Sequence, residues 1–344
     1  MTTPATVADI AARAGVGTAT VDRVLNQRPG VNPQTMRRVM EVVAELGTPA
    51  PRGRPRQSAD LRFAYVLPAA ESPFTALVER QIAQTAGDFR HQHITEVTHR
   101  LDFGDPAAVE QALAALAGCQ GVALLAPDVP AVKLAVAELV KAGVHVVTLF
   151  SDVAGSMRET HVGADNRAAG RTAALLLGRM APPGRSKLLL VSQATRLSAE
   201  IERRIGFAQV IEERFPHLAL QRLPDIPADD AGAARAFSRF VKSGVVDPGT
   251  VAGLYAVGSG VAGLVRALQA AGLGADGVGI AAHDASEEHR TLLARGSLSY
   301  VLDQDIHYCV LAAARVLRAL CENVRGALNV VQPRVEILTA ENLL

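Results

Sequence analysis

From residue 61 to the end of the chain, short apolar runs alternate with amphipathic helical stretches, and that alternation admits few architectures. Short apolar runs at 63–67, 94–99, 121–125, 144–149, 159–162, 187–191, 219–223, 251–257, 279–282 and 298–303 read as strands. Amphipathic stretches lie between most of them, for example at 74–84, 106–116, 129–142, 167–180 and 201–215, and read as helices. Strand, helix, strand repeated this often predicts an α/β body of doubly wound parallel sheets, because a parallel strand must be reached through a covering crossover helix. Two sheets fit the number of strands. The break after Val162 and the returns after about residue 302 predict two lobes of a single body at 61–344: one from about 61–162 and 304–326, the other from about 163–303 and 327–344.

Ligands of such sheets bind beyond the carboxyl ends of the strands. In the first lobe the residues there are Ser72, Phe74, Asp128, Ser151 and Asp152, with Asp165 after the crossover. In the second they are Arg203, Ser259, Asp284 and Gln304. A polyhydroxylated ligand both donates and accepts at every hydroxyl, so a mixture of carboxylates, amides, hydroxyls and one arginine suits it. Each residue also has a plainer reading. Asp165 and Asp284 can cap helices, Arg203 can be a surface ion pair in the charged run 200–204, Gln304 can face solvent and Phe74 can be core. The stripe Ile306, Cys309, Val310, Ala313, Val316, Leu317, Leu320 reads as the buried face of a helix.

The first sixty residues follow a different rule. Thr6 with Asp9 makes a capping-box start, and Val7, Ile10, Ala11 and Ala14 share one helical face. Gly15 breaks that helix. Val16-Gly17 turns into a second helix, 18–26, with Val21, Val24 and Leu25 inward. Asn32-Pro33 starts a third that runs to residue 46 with Met36, Val39, Met40, Val43 and Leu46 inward. Two short helices around a glycine turn, backed by a third, form a helix-turn-helix, and residues 1–47 are expected to be a DNA-binding unit. Charge agrees: residues 1–62 hold nine arginines against five acids, whereas the whole chain is only +1. A basic head on a mildly acidic body is suited to a polyanion at one end only.

Other function classes find little support. Cys119, Cys309 and Cys321 are far apart and unpaired in pattern, so no zinc site or other metal is expected. There is no Gly-x-Ser-x-Gly elbow and no phosphate loop with lysine, so neither an enzyme nor a cofactor is expected. The start Met1-Thr2-Thr3-Pro4 lacks an export signal and no apolar run spans a bilayer, so a cytoplasmic protein without a membrane partner is expected.

The segments Thr6-Val7-Ala8-Asp9-Ile10-Ala11, Ala14-Gly15-Val16 and Thr20-Val21-Asp22-Arg23-Val24-Leu25-Asn26 resemble the head of the lactose/galactose repressor family. The resemblance implies that Thr18, Ala19 and Arg23 meet base edges, Arg23 through guanine O6 and N7. Thr6, Thr20, Asn26 and Arg28 complete the expected DNA-contacting set. Where the family commonly has serine this chain has Asp22, which reads as orienting Arg23 or accepting from a cytosine amine. The body resembles the periplasmic-binding-protein-like, sugar-binding core of the same family through the run 162–171, Arg203-x-x-Gly206-Phe207, His283-Asp284 and Asp303-Gln304.

Residues 48–60 depart from the family, which has a minor-groove hinge helix there. Pro51, Gly53 and Pro55 exclude a helix. Pro51-Arg52-Gly53-Arg54-Pro55-Arg56 resembles an AT-hook, and Arg52, Gly53, Arg54 and Arg56 read either as a minor-groove arm or as a stiff basic linker that touches phosphates. The resemblance as a whole implies a repressor that binds a pseudo-palindromic operator as a homodimer, or a tetramer, under allosteric control by a small polar metabolite, sugar-like or a polyol. The rival readings are an effector-independent architectural DNA-binding protein and a solute-binding receptor.

Overall fold

The computed structural model describes residues 6–25, 30–46, 60–89, 93–194, 196–273, 278–324 and 331–343. The chain divides into two units, Met1–Ala59 and Asp60–Leu344.

The first unit holds helices α1 (Val7–Ala14), α2 (Thr18–Leu25) and α3 (Pro33–Leu46). Thr6 caps α1 in a reciprocal box: its Oγ1 accepts from the Asp9 N–H at 3.2 Å, and its own N–H donates to Asp9 Oδ2 at 2.7 Å. Gly15 ends the helix at φ 64°, a left-handed conformation glycine takes without steric cost, and the Val16 N–H closes the turn on Ala11 O at 3.0 Å. The three helices meet on Ile10, Ala11, Ala14, Val21, Val24, Val39 and Val42. The buried side of α3 differs from the expected stripe. Val39 and Val42 are buried and Val43 packs against them, while Met36, Met40 and Leu46 are exposed. Helices α1 and α2 are each only eight residues long and cover little of α3, so two adjacent turns suffice and the flexible methionines remain outside.

The second unit contains two sheets. The first has the order β2-β1-β3-β4-β5, all parallel, from β1 (Leu61–Pro68), β2 (Ile94–Leu101), β3 (Gly121–Leu124), β4 (His145–Leu149) and β5 (Thr160–Val162). Its helices are α4 (Pro73–Phe89), α5 (Pro106–Ala114) and α6 (Pro130–Lys141). The second sheet has the order β11-β10-β9-β8-β6-β7, from β6 (Lys187–Val191), β7 (Ala219–Arg222), β8 (Val251–Ala256), β9 (Gly279–His283), β10 (Tyr300–Gln304) and β11 (Val335–Leu338). Among the described strands only the β10–β11 pair is antiparallel. Helices α7 (Asn166–Met180), α8 (Ser198–Arg214), α9 (Asp230–Lys242), α10 (Val261–Ala270) and α11 (Glu287–Ala294) accompany this sheet, and α12 (Ile306–Cys321) returns to the first.

Residues 63–67 of β1 are all buried, as expected of a central parallel strand covered on both faces. Alternation deals them out: Phe63, Tyr65 and Leu67 join the core under α4 and α12, while Ala64 and Val66 join the core under α5 and α6. Ile306, Cys309, Val310, Ala313, Val316 and Leu317 are buried against the first sheet, with Leu320 at the margin. The chain therefore crosses between the sheets between β5 and α7, between β10 and α12, and again between α12 and β11. Strand β11 was not among the expected strands. Val335-Glu336-Ile337-Leu338 is an edge strand with one buried end, too short to carry a clear alternation.

Candidate DNA-reading face and interlobe cleft

In the head, α2 turns Val21 and Val24 inward, and this leaves Thr18, Ala19, Asp22 and Arg23 exposed on the opposite side, with Thr20 half-buried. Positions i, i+1, i+4 and i+5 form one outward face of a helix, so the small residues Thr18 and Ala19 stand one turn from Arg23 and Asp22. The Thr6 hydroxyl is engaged in the α1 cap. Asn26, Arg28, Arg52, Gly53, Arg54 and Arg56 lie outside the described residues.

In the body, a cleft of about 940 Å³ opens between the two sheets. The segments that line it follow the carboxyl ends of strands: residues 68–75 after β1, 101–106 after β2, Leu125 to Leu134 after β3, Phe150 and Ser151 after β4, then Gln193 to Arg203 after β6, Ala228 after β7, Gly258 to Gly260 after β8, His283 to His289 at and after the end of β9, and Gln304 at the end of β10. Parallel topology puts those ends on one side of each sheet, and the crossovers turn the two sides toward each other.

Of the residues singled out from sequence, Ser72, Phe74, Ser151, Arg203, Ser259, Asp284 and Gln304 line this cleft. Asp128, Asp152 and Asp165 do not. Asp128 is paired with Lys133 at 2.8 Å. Asp152 is held by both Arg158 Nε and Nη2 and accepts from Thr148 Oγ1 at 2.8 Å. Asp165 is exposed and caps α7, accepting from the Ala168 N–H at 2.8 Å. Ser72 is tied to Thr75 through two reciprocal backbone-to-hydroxyl bonds at the start of α4. Ser151 Oγ lies 3.1 Å from Ser198 Oγ and accepts from the Ala199 N–H at 3.3 Å, so it bridges the lobes. Phe74 meets Phe150 edge to face, ring centroids 5.3 Å apart.

The polar end of the cleft is built in the second lobe. Arg203 is only 6% exposed, although it lies in a charged run. Its Nε donates to Asn166 Oδ1 at 2.8 Å, and Asn166 Nδ2 in turn donates to Phe150 O and Ala164 O, both at 3.2 Å. The crossover residue that takes part is thus Asn166, one position past the expected Asp165. Arg203 reaches that place because α7 and α8 cross in close contact: a Cβ on Gly206 would lie 2.1 Å from Arg167 O, and one on Gly170 would lie 1.9 Å from Arg203 O. Asp284, at φ 63°, turns out of β9 and accepts from Gln304 Nε2 at 2.9 Å, while His289 Nδ1 lies 2.7 Å from its carbonyl. Behind them the Tyr255 hydroxyl is hydrogen-bonded to His283 Nε2, and Tyr255 stacks on Phe207 at 4.6 Å. Burial, with the nearby Arg203 and His289 charges, holds His283 well below its usual range, so it is neutral and acts as an acceptor.

Sequence reasoning missed Gln193, Glu200, His283 and His289, which also line the cleft. Gln193 is clamped on Ser259 at both ends, Nε2 to Ser259 O at 2.8 Å and Oε1 from the Ser259 N–H at 3.0 Å. Gly258 allows this, since a Cβ there would lie 1.9 Å from Gln193 Oε1. Glu200 stands one helical turn before Arg203, the spacing that puts both on one face. Burial pushes its carboxyl up to about 7, against the opposing pull of Arg203 and Arg204. The folded chain therefore keeps a proton that the unfolded chain releases near 4.5, so this group favours folding below about pH 4.5 and loses that contribution as pH rises through about 7. Asp303 behaves alike, pushed up to about 6 by burial and by Asp284.

Among the described residues no helix is long and apolar enough to cross a membrane, and no group of three or more His, Cys, Asp or Glu side chains is placed to hold a metal ion.

Comparison with known proteins agrees with this division. Residues 6–47 match the profile of bacterial regulatory proteins, lacI family, and residues 63–324 match the periplasmic binding protein domain. The chain is 42% identical over 78 residues to the HTH-type transcriptional regulator reg1 of Streptomyces lividans, a stretch that is 23% of this chain and 22% of that protein. Among solved structures, a putative LacI transcriptional regulator from Bacteroides fragilis superposes with a TM-score of 0.72 at 18% identity, over 82% of this chain and 98% of that one. A Caulobacter myo-inositol binding protein gives a TM-score of 0.71 at 21% identity, over 84% of this chain and 96% of that one. At such identities these two structures speak for the fold.

Proposed function

Because the chain belongs to the periplasmic binding protein domain family over residues 63–324, and its head to the bacterial regulatory proteins of the lacI family, we propose that it is a transcription repressor whose affinity for DNA is set by a small hydroxylated metabolite. The observation that carries this reading is the presence, in one chain, of an outward face on α2 with Thr18, Ala19 and Arg23 and of a cleft with a buried polar end of Arg203, Asp284 and Gln304. A helix of this kind reads base edges in the major groove, and its two copies in a homodimer read a pseudo-palindromic operator in the cytoplasm. The arm with Arg52, Gly53, Arg54 and Arg56 adds contacts beside each half-site, to an A·T minor groove or to phosphates.

Control follows from the two lobes. A ligand that touches both favours the arrangement in which they are closed around it. If that arrangement holds the dimer's heads less well on the operator, DNA affinity falls by the ratio of the ligand's affinities for the two states. Ser72, Phe74, Ser151, Arg203, Ser259, Asp284 and Gln304 are the proposed contacts, joined by Glu200. Asp128, Asp152 and Asp165 serve as supports through their ion pairs and cap.

The test of the DNA reading is Arg23→Ala, with the operator recovered by selection from random-sequence duplexes using the whole chain. Each bidentate arginine–guanine contact is worth about 1–3 kcal/mol and a homodimer loses two, so affinity should fall by roughly thirtyfold or more, with preference relaxed at one base pair per half-site. Unchanged affinity and unchanged preference would show that α2 is not the reading element.

A further inference from the structure

The polar end of the cleft is acceptor-rich and unbalanced in charge. At this end the ionisable side chains, histidines apart, are the acids Glu200 and Asp284 and the base Arg203, while Glu71, Asp102 and Arg196 line the rest of the cleft as exposed residues. Arg203 is already engaged by Asn166 and by the Val257 carbonyl. Two buried acceptor atoms at this end, Glu200 Oε2 and Gln304 Oε1, have no hydrogen-bond partner among the described residues. Gln304 is 3% exposed and its amide nitrogen is committed to Asp284, so its oxygen is left for a donor from the cleft. A buried acceptor without a donor is costly, and a buried carboxylate oxygen without one more so, which makes these atoms a mould for what the ligand brings. The opposite wall is apolar, with Phe74, Phe103, Phe150, Leu101 and Leu134.

We infer that the effector is a hydroxylated amine of the amino-sugar class, its positively charged nitrogen seated at Glu200 beside Asp284 and Gln304 and its ring face on the Phe74 and Phe150 wall. The inference rests on the reading of this cleft as the effector site. A neutral hydroxyl can donate one hydrogen bond to Glu200, whereas an ammonium donates up to three and supplies the charge that Arg203 and Arg204 leave unmet. The groups acting on Glu200 are Arg203, Arg204, Asp284 and Asp225, and with burial they leave its carboxyl near 7, partly protonated at neutral pH. A cation at this position displaces that proton to the buffer and leaves the carboxylate paired.

The experiment uses the whole chain and matched pairs that differ by one hydroxyl-to-ammonium exchange: D-glucose and D-glucosamine, D-galactose and D-galactosamine, D-mannose and D-mannosamine. Affinity is read by calorimetry in two buffers of different ionisation enthalpy. For at least one pair the amine should bind about tenfold or more tighter than its neutral partner, with proton release to the buffer. In E200Q that preference should shrink to about twofold or less, while E200D, which keeps the charge, should retain part of it. A neutral sugar that binds as well as its amine, with no other pair favouring the amine, or a preference that persists in E200Q, overturns the inference. If that neutral sugar also changes operator affinity, the reading as a sugar-controlled repressor stands without it. Silence of all pairs overturns both the inference and the sugar reading of the cleft.

Discussion

Gly206→Ala should destabilise the body by about 3 kcal/mol or more and abolish effector binding. The added Cβ would fall 2.1 Å from Arg167 O, and the obstacle is backbone in a neighbouring helix, which cannot rotate aside as a side chain could. Helices α7 and α8 would have to separate, opening the core formed by Ala173, Leu177, Phe207 and Val210. The same displacement stretches the 2.8 Å bond between Arg203 Nε and Asn166 Oδ1, so the polar end of the cleft loses its geometry with the core. Urea denaturation followed by circular dichroism, with calorimetry of the ligand, checks both effects. Gly170→Ala should behave alike, because its Cβ would fall on Arg203 O itself. A body that keeps its midpoint in either variant would mean that the helices do not cross this tightly.

Arg203→Ala should cost about 3–5 kcal/mol, as expected when one partner is removed from a buried charged network. It leaves Asn166 Oδ1 and the Val257 carbonyl without their donor, and it withdraws the positive charge that restrains Glu200. The Glu200 carboxyl then moves further above 7, while His283, which Arg203 holds down, moves back toward its ordinary value. Arg203→Lys should rescue little, because the bond to Asn166 comes from Nε of a planar fork that lysine lacks. At neutral pH Glu200 is then protonated and E200Q adds little, whereas at higher pH, where the carboxyl ionises without its arginine, E200Q should recover part of the stability. A double-mutant denaturation cycle reads that recovery as a coupling between the two positions.

The body's strands and helices were legible because short apolar runs and amphipathic stretches are strong local signals, and the strand ends follow from parallel topology. Arg203, Asp284 and Gln304 could be found in that way. Glu200 could not, since a Glu and an Arg within 200–204 look the same in sequence whether the helix face is solvated or turned into a cleft. The exchange between Asp165 and Asn166 has a similar cause: both are good caps, and only the approach of α8 decides which one faces Arg203. Gln193 carries no local signal, because its clamp on Ser259 joins loops 66 residues apart. In α3, period alone placed Met36 and Met40 inward, but the small area offered by α1 and α2 covers only Val39 and Val42.

The central claim is that occupancy of the cleft and the grip of α2 on DNA are linked. It is tested by fluorescence anisotropy of the whole chain on its selected operator, with and without a saturating amount of whichever matched-pair sugar binds most tightly. The predicted result is a shift in operator affinity of about fivefold or more on adding the sugar, the lower range of a working allosteric coupling, with Arg203→Ala binding DNA but showing no shift. Superimposable titrations with and without a sugar that calorimetry shows to be bound would contradict it.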